Sequence, residues 1–323
     1  MDNFTHSLVG WGLGQAGLKR KTRKGLAALI LGANAPDIDV FFGWAGWAPL
    51  ATHRGVTHSL VAGLWVMPVL TAGMLWLIDR WQVSRGAAFK SGLEMRFGWL
   101  LGLAFLGCLT HPLLDWQTSY AVQLLSPFDN RWFHNGTLFI IDVWIWAGLS
   151  LAIWLSRRRE RDGRADRRVP ARAGLAALVV YITLNGMLSG WVRTQTRMAE
   201  PYVDPDILVL SPPPVLFWRR DVTWRQDGRM YWGAYDPRRN WFGLYEFSEG
   251  KPDGMSDPLA REVLMTTPSL APFRRWSIMP MAFVQRERCS VTVRYQDARY
   301  GEDPGTGRLG ASATVPTGAP GCK

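Results

Sequence analysis

Histidines and aspartates in short repeated words are the residues of this chain best suited to chemistry. The pentapeptide THSLV occurs at 5–9 and again at 57–61, and a third Thr-His pair stands in LTHPLLDW at 109–116. The whole chain of 323 residues contains five histidines. Histidine and aspartate together are ligands of zinc and similar divalent ions, and catalytic sites leave one position open for water or substrate.

The spacing of these residues predicts one metal site. His111 and Asp115 stand four residues apart, so on a helix they share one face. Asp37 and Asp39 flank a single residue in NAPDID at 34–39, so both can reach a common point. An unpartnered histidine or aspartate near a membrane is costly, which favours functional pairing. The predicted metal ligands are His6, Asp37, His58, His111 and Asp115.

Three further residues are predicted to assist catalysis. Asp39 is interpreted as an additional ligand or as a base beside the metal. His53 stands five residues before His58, which is not a same-face helical spacing, so His53 and Arg54 are predicted to steady developing negative charge on the substrate. The threonine before each Thr-His histidine is predicted to cap a helix or to hydrogen-bond a ligand. The sequence lacks HExxH, GxSxG and P-loop patterns, which disfavours the corresponding protease, hydrolase and nucleotidase classes.

Long apolar runs must position these residues. Runs of this kind occupy 59–78, 97–116, 138–155 and 173–192. Each has about the length that crosses roughly 30 Å of hydrocarbon as a helix. Tryptophan at several ends fits the aromatic belts of membrane interfaces. We therefore predict four full membrane spans.

Two shorter apolar segments, 7–18 and 25–36, flank the basic sequence KRKTRK at 19–24. Each reaches roughly 18 Å as a helix, which is too short to span. Together they predict a helical hairpin with a basic tip. The predicted fold class is an all-α polytopic membrane helix bundle, with four full spans plus an N-terminal helical hairpin, followed by a small, mostly-β extramembranous domain.

The distribution of basic residues predicts the orientation of the chain in the membrane. The net charge is +11, and its strongest clusters are 19–24 and 157–172, whereas the connections 43–57 and 116–137 contain one arginine each. By the positive-inside rule the two clusters are cytoplasmic, so the Thr-His words face outward and the C-terminal part is extracytoplasmic. This charge is then explained by topology and by contact with anionic membrane lipids, and nucleic acid is not an expected partner.

Composition predicts three regions: a membrane-embedded domain at 1–192, an extracytoplasmic β-rich domain at 193–305, and a disordered tail at 306–323. Two β-rich runs surround an Asp-Gly turn signal at 227–228. A further alternating run at 289–300 predicts another strand. Cys108 is predicted to be a core residue, and whether Cys289 and Cys322 pair is left open by their spacing.

The motifs resemble those of a known family. THS at 5–7, NAPDID at 34–39, HRGVTHS at 53–59 and HPLLD at 111–115 resemble the YdjM-like membrane-bound metal-dependent hydrolases of bacterial inner membranes. The resemblance covers about residues 1–192. Distant similarity to zinc-dependent phospholipase C and P1-type nucleases implies phosphoester hydrolysis with zinc. The chain has no N-terminal tryptophan to act as an amino-terminal ligand, so the number of ions, one or more, is left open.

The combined prediction is a multi-pass inner-membrane hydrolase that depends on a divalent metal, most simply zinc. It would act at the outer membrane face on a phosphoester or lipid-linked, amphiphilic substrate through a metal-activated water. One alternative is a non-enzymatic membrane protein with a structural metal and an envelope-binding β domain. A second alternative is a transporter of a divalent ion or small anion, since intramembrane acids and histidines also line pathways.

Overall fold

The structure is a computed structural model that describes residues 1–42, 53–198, 205–302 and 309–316. These residues divide into two compact units. The first unit comprises 1–42, 53–187 and 213–217, and the second comprises 188–198, 205–212, 218–302 and 309–316. The division in the main chain falls after Met187, inside a helix. The domain limits proposed from composition, 1–192 and 193–305, stay predictions.

Six helices begin in the described part of the first unit. They are α1 Asn3–Gln15, α2 Gly25–Asn34, α3 Gly63–Ser84, α4 Phe97–Asp115, α5 Val143–Arg161 and α6 Val169–Arg197. Two 3₁₀ helices, Ala35–Phe42 and Val56–His58, lie in the connection between α2 and α3.

The helices α2 and α4 touch backbone to backbone. A Cβ added at Gly32 would lie 2.6 Å from the carbonyl oxygen of Ala104, and one at Gly107 would lie 2.6 Å from the carbonyl oxygen of Leu29. Small residues permit this approach, as at many interfaces between membrane helices. Leu75 of α3 and Leu100 of α4 pack into the same apolar cluster as Leu29. The spacing of α2 and α4 is therefore fixed by glycines.

The predicted bundle of four full spans plus a hairpin is wrong. Among the described residues, two helices are long and apolar enough to cross a membrane, namely α4 and α6. Eight helices and two antiparallel sheets are described in all. The helices α1 and α2 form on either side of the basic segment 19–24, as predicted. The four full spans predicted from hydropathy are not found among the described residues.

The error comes from assuming that apolar runs and helices coincide. The run at 59–78 is charge-free, but α3 begins at Gly63 and continues to Ser84, so it includes Asp79 and Arg80. The run at 138–155 likewise begins before α5, whose last turns contain the charged residues of 157–161. Asp142 caps the N-terminus of α5, because its side chain accepts hydrogen bonds from the backbone N–H groups of Trp144 and Ile145.

Ion pairs tie the basic segment 19–24 to the ends of α3 and α5. Arg23 donates Nε and Nη2 to the two carboxylate oxygens of the buried Asp79, each at 2.7 Å. Lys19 and Arg20 both pair with Glu160. The two basic clusters of the sequence therefore meet at one end of the helices.

The second unit contains two antiparallel sheets and two short helices. The strands are β1 Ile207–Ser211, β2 Arg220–Gln226, β3 Arg229–Tyr235, β4 Glu246–Phe247, β5 Lys251–Pro252, β6 Pro280–Arg286, β7 Ser290–Asp297 and β8 Gly310–Pro316. One sheet has the order β1-β2-β3-β4, with β5 also paired to β3, and the other has the order β6-β7-β8. The helices are α7 Pro258–Thr266 and α8 Ala271–Trp276.

Local turn chemistry explains the β2–β3 hairpin. Asp227 and Gly228 have φ angles of 52° and 71°, the left-handed pair that a two-residue hairpin turn requires. The predicted Asp-Gly turn is confirmed, and β7 lies within the predicted strand 289–300.

Residues 310–316 were predicted to be disordered, but they form β8 and pair with β7. For these residues the prediction is wrong. The segment is rich in glycine and alanine, and it forms a strand because it pairs with β7. Cys108 is buried with a free thiol. Cys322, whose pairing with Cys289 the sequence left open, lies outside the described residues.

Candidate metal centre

The first turn of α1 directs His6 into the interior. Asp2 caps the helix by accepting hydrogen bonds from the backbone N–H groups of Phe4 and Thr5. The Thr5 hydroxyl donates to Asp2 and accepts from the indole N–H of Trp146. His6 is fully buried as a result.

Asp37 and Asp39 lie on the 3₁₀ helix Ala35–Phe42, which follows α2 directly. Both carboxylates are buried, whereas their neighbours Ile38, Val40 and Phe41 are exposed. The same short element thus presents two acids to the interior and apolar side chains to the surroundings.

The segment 53–58 approaches these acids from the other side. Arg54 has a φ of 67°, an uncommon value for a residue with a side chain, and its backbone N–H donates to Asp39 Oδ2 at 3.2 Å. Unusual backbone conformations concentrate at functional sites, where surrounding contacts maintain them. His58 ends the second 3₁₀ helix and is fully buried.

His111 and Asp115 lie in the last turns of α4 and are both fully buried. The Nδ1–H of His111 donates to the carbonyl oxygen of Ala33 at 2.6 Å. This bond orients the ring so that Nε2 faces the acids.

Four donor atoms meet at the middle of this arrangement. Asp37 Oδ1 lies 3.1 Å from His58 Nε2 and 3.2 Å from His111 Nε2. Asp115 Oδ2 lies 3.4 Å from His111 Nε2 and 3.5 Å from His58 Nε2. The four side chains come from three separate parts of the chain, so the fold, and not local sequence, creates the cluster.

Asp39 contacts the Nδ1 atoms of two histidines. Its Oδ1 lies 2.9 Å from His53 Nδ1, and its Oδ2 lies 3.2 Å from His58 Nδ1. Oδ2 also accepts a hydrogen bond from the Thr57 hydroxyl at 2.7 Å. Carboxylates in this position orient metal-binding imidazoles and raise their basicity. The contacts of Asp39 suit a supporting residue better than a ligand.

Arg54 holds Asp115. Its buried guanidinium places Nη2 3.2 Å from Asp115 Oδ1 and donates from Nη1 to the hydroxyl of Thr118 at 2.9 Å. The α-amino group of Met1 also contacts Asp115 Oδ1. The Arg54 guanidinium therefore lies beside Oδ1 of Asp115, while Oδ2 faces His58 and His111.

Both acids of the 3₁₀ helix are held in the ionised form. Burial alone would raise the pKa of Asp37, but the nearby His111 and His58 side chains outweigh burial and lower the pKa below its ordinary value. The pKa of Asp39 is lowered in the same way by His53 and His58. An ionised carboxylate is the form that binds a divalent metal.

Several polar atoms of the centre make no hydrogen bond within the described part of the chain. They include His6 Nδ1 and Nε2, His111 Nε2 and Asp115 Oδ2, all of which are buried. Leaving such atoms unsatisfied costs about 1–3 kcal/mol each. A cation between them would satisfy the carboxylate oxygen and the imidazole lone pairs, so the donor set fits a metal ion.

The structure brings all eight predicted site residues together. Two groups of candidate ligands form, and within each group one ligand atom per residue lies within 4.8 Å of the others. The groups are Asp37, Asp39, His53 and His58, and His6, His111 and Asp115. The roles assigned to these residues stay predictions.

Some contacts were not predicted from the sequence. The Ala33 carbonyl group and Thr118 emerge only from the fold, and no local signal marks them. The three threonines do not share one function. Thr57 supports His58 and Asp39, Thr5 belongs to the α1 cap, and Thr110 donates to the carbonyl oxygen of Gly107 in its own helix.

Fold and site together define a helical protein with two candidate membrane-spanning helices and a buried His/Asp centre. The YdjM inner membrane protein family matches residues 1–192, more than half of the chain, and the protein belongs to this family. The predicted kinship with phospholipase C and P1 nucleases is not among the similarities found.

The chain is also similar to the uncharacterized protein YfhP of Bacillus subtilis (strain 168). The two are 25% identical over 240 residues, which cover 69% of this chain and 65% of YfhP. The chain therefore matches slightly less than two thirds of that relative's length. No solved structure matches the chain.

Proposed function

We propose that this protein is a metal-dependent hydrolase of the inner membrane that cleaves a phosphoester or lipid-linked substrate. The proposed ligands are His6, Asp37, His58, His111 and Asp115. A divalent cation bound there supplies Lewis-acid activation of the ester and of the attacking water. Zinc suits the mixed imidazole and carboxylate donors best.

The separation of the donor atoms carries this proposal. At zinc–ligand bond lengths of about 2.0–2.2 Å, two ligands of one tetrahedral ion stand roughly 3.3–3.6 Å apart. The pairs His58–Asp37, His111–Asp37 and His111–Asp115 lie at 3.1, 3.2 and 3.4 Å. Small adjustments of the side chains would admit an ion.

Asp39 and Arg54 position the ligands, and His53 lies where the site reaches the surface. Asp39 holds the rings of His53 and His58, and Arg54 holds Asp115. The side chain of His53 is 22% exposed, whereas that of His58 is fully buried. Substrate therefore approaches from the side of His53, whose Nε2 faces Asp37 at 4.0 Å.

The surroundings favour an amphiphilic substrate. Ile38 and Val40 are 44% and 43% exposed and Phe41 is 78% exposed, although all three neighbour the two buried acids. Apolar side chains on the element that carries two site residues would contact the hydrocarbon part of a lipid-linked molecule. A water-soluble substrate gains nothing from them.

We further propose that the centre faces the outer side of the membrane and that the C-terminal unit is extracytoplasmic. Lys19 and Arg20 of the first basic cluster pair with Glu160 within the second cluster, which supports placing both clusters on the same, cytoplasmic side. A reporter fused after residue 165 should then behave as cytoplasmic, and an extracytoplasmic signal would invert the arrangement.

Metal content and turnover test the function. Detergent-purified full chain is analysed for bound metals beside His58→Ala and His111→Ala, and each protein is assayed on a bis-aryl phosphodiester and on phospholipid vesicles. We expect zinc in the wild type, loss of zinc in both variants, and hydrolysis in the wild type alone. Full activity in both variants, or a wild type without metal after reconstitution, would overturn the proposal.

One observation favours a second candidate, a non-enzymatic protein with a structural metal. The side chains of His6, His58, His111 and Asp115 are 1% exposed or less, and structural zinc sites are closed in this way. A structural ion predicts collapse of the fold on chelation. A catalytic ion predicts lost turnover with a smaller fall in melting temperature.

A further inference from the structure

The centre offers more donors than one ion uses. Seven histidines and aspartates form the two groups of ligands among the described residues. A zinc ion in a protein takes four ligands, and catalytic sites give one of these positions to water or substrate. Asp39 supports two of the imidazoles, so two or three of the other six residues are unexplained by a single ion.

His6 is the least explained of them. It is fully buried, and neither of its ring nitrogens makes a hydrogen bond within the described residues. Its Nε2 lies 3.5 Å from Asp115 Oδ1, and its ring stacks on that of His111 with centroids 3.7 Å apart. A buried imidazole without a partner is expensive, and a cation beside Asp115 and His111 would give it one.

His53 lies in the other group. Its Nδ1 is bound to Asp39, so its Nε2 is free to face Asp37 Oδ1 at 4.0 Å. His58, which shares Asp39 with it, presents its own Nε2 to the same oxygen at 3.1 Å. Two imidazoles held by one carboxylate thus converge on Asp37.

Asp37 links the two groups. Its Oδ1 lies 3.1 Å from His58 Nε2 in one group and 3.2 Å from His111 Nε2 in the other. A carboxylate reached by ligands from both sides is suited to a position between two cations. Hydrolases with paired ions use them to stabilise both the attacking and the leaving oxygen.

We propose that the centre binds two divalent cations on either side of Asp37. One position is formed by His53, His58 and Asp37. The other is formed by His6, His111 and Asp115, with Asp37 completing it. The inference rests on the proposed function and deepens it, because paired ions of this kind suit phosphoester substrates.

The test is metal stoichiometry in the full chain purified in detergent. Metal-free protein is titrated with Zn²⁺ and, separately, with Co²⁺, and bound metal is counted by elemental analysis. The wild type should bind two ions per chain. His53→Ala and His6→Ala should each bind one, and Asp37→Asn should weaken both positions.

His134→Ala is the matched control, because His134 lies outside both groups and its loss should leave two ions bound. Magnetic coupling between two bound Co²⁺ ions in the wild type, lost in both single-histidine variants, gives a readout that does not depend on activity. Melting temperatures identify variants that fail to fold, and the wild-type count does not depend on any variant.

Saturation of the wild type at one ion per chain would overturn the inference. If that one-ion protein still hydrolyses a phosphodiester, the proposed function stands alone. Two bound ions without hydrolysis of any ester would instead overturn the proposed function, and the proposal of two cation positions would still stand. Retention of two ions by both His6→Ala and His53→Ala would also refute the assignment.

Discussion

The Nδ1 atom of His111 lies 2.6 Å from the carbonyl oxygen of Ala33, which joins the last turns of α4 to the end of α2. Asp37 follows four residues after Ala33, so this bond places a histidine and an aspartate from distant segments against each other. The geometry of the centre therefore depends on the packing of two helices as much as on the ligands themselves.

Replacing Asp39 with asparagine should weaken metal binding without abolishing it. Asp39 supports both His53 and His58, and loss of such support typically costs 10–100-fold in metal affinity. Competition with a fluorescent zinc chelator measures the change. At high zinc concentration the metal site of Asp39→Asn should again be fully occupied.

The control for this variant is Asp129→Asn, which alters a partly exposed aspartate paired with Arg131. Its zinc affinity should equal that of the wild type. An unchanged affinity in Asp39→Asn would show that the contacts of Asp39 do not matter for metal binding.

Replacing Gly107 with alanine should force α2 and α4 apart. The new Cβ would lie 2.6 Å from the carbonyl oxygen of Leu29 and 2.8 Å from the backbone nitrogen of Ala33. Overpacking of this kind costs about 1–3 kcal/mol. We expect a lower melting temperature in detergent together with weaker zinc binding.

Gly102→Ala provides the comparison on the same helix, because a Cβ at Gly102 meets nothing within 4 Å among the described residues. Stability and zinc affinity should both be unaffected there. Equal behaviour of the two variants would argue against a close contact between α2 and α4.

Replacing Asp79 with alanine should destabilise the first unit but spare the metal. The change leaves Arg23 without its buried partner, and breaking such a pair costs about 3 kcal/mol. Thermal unfolding and zinc affinity are measured together. Glu94→Ala, which removes an exposed partner of Arg96, should change stability little.

A loss of zinc affinity in Asp79→Ala, measured well below its melting temperature, would contradict this separation of roles. It would indicate that the basic end and the metal centre are coupled through the helices.

The second unit should lose stability in acid through Asp297. Burial would raise the pKa of this carboxyl, but the charge of Arg299 and hydrogen bonds from Arg299 and Ser277 lower it. A depressed folded pKa contributes stability above the unfolded pKa of about 3.9, and this contribution is lost as pH falls through the folded value. Asp297→Asn should therefore be less stable than the wild type at neutral pH.

The difference between wild type and Asp297→Asn should shrink below about pH 4, where the wild-type carboxyl begins to lose its advantage. Tryptophan fluorescence during thermal unfolding at several pH values measures it. Asp206→Asn, at an exposed pair with Arg225, serves as the control and should show little effect. A difference that grows in acid would give the wrong sign and refute the argument.

The sequence predicted which residues lie close together better than it predicted the architecture. His111 and Asp115 share a helix face by spacing alone, and Asp37 and Asp39 stand in one short turn, so local pattern was informative. The contacts of Arg54 and Asp39 depend on the fold. Only tertiary packing, for example, brings Asp115 within reach of Arg54.

Hydropathy failed where charged residues continue a helix beyond its apolar part. The helix α3 keeps Asp79 because Arg23, from another segment, compensates the buried charge. No reading of the run at 59–78 contains that information. The strand β8 was missed for a similar reason, since its pairing with β7 is non-local.

The direct contact of α2 with α4 also bears on how the protein responds to its bilayer. Membrane helices adapt to bilayer thickness mainly by tilting. Because Gly32 and Gly107 leave no layer of side chains between these two helices, α4 cannot tilt without moving α2 and the acids that follow it. Asp37 and His111 would then move as one rigid body, and the geometry of the His/Asp centre would be insulated from changes in lipid composition.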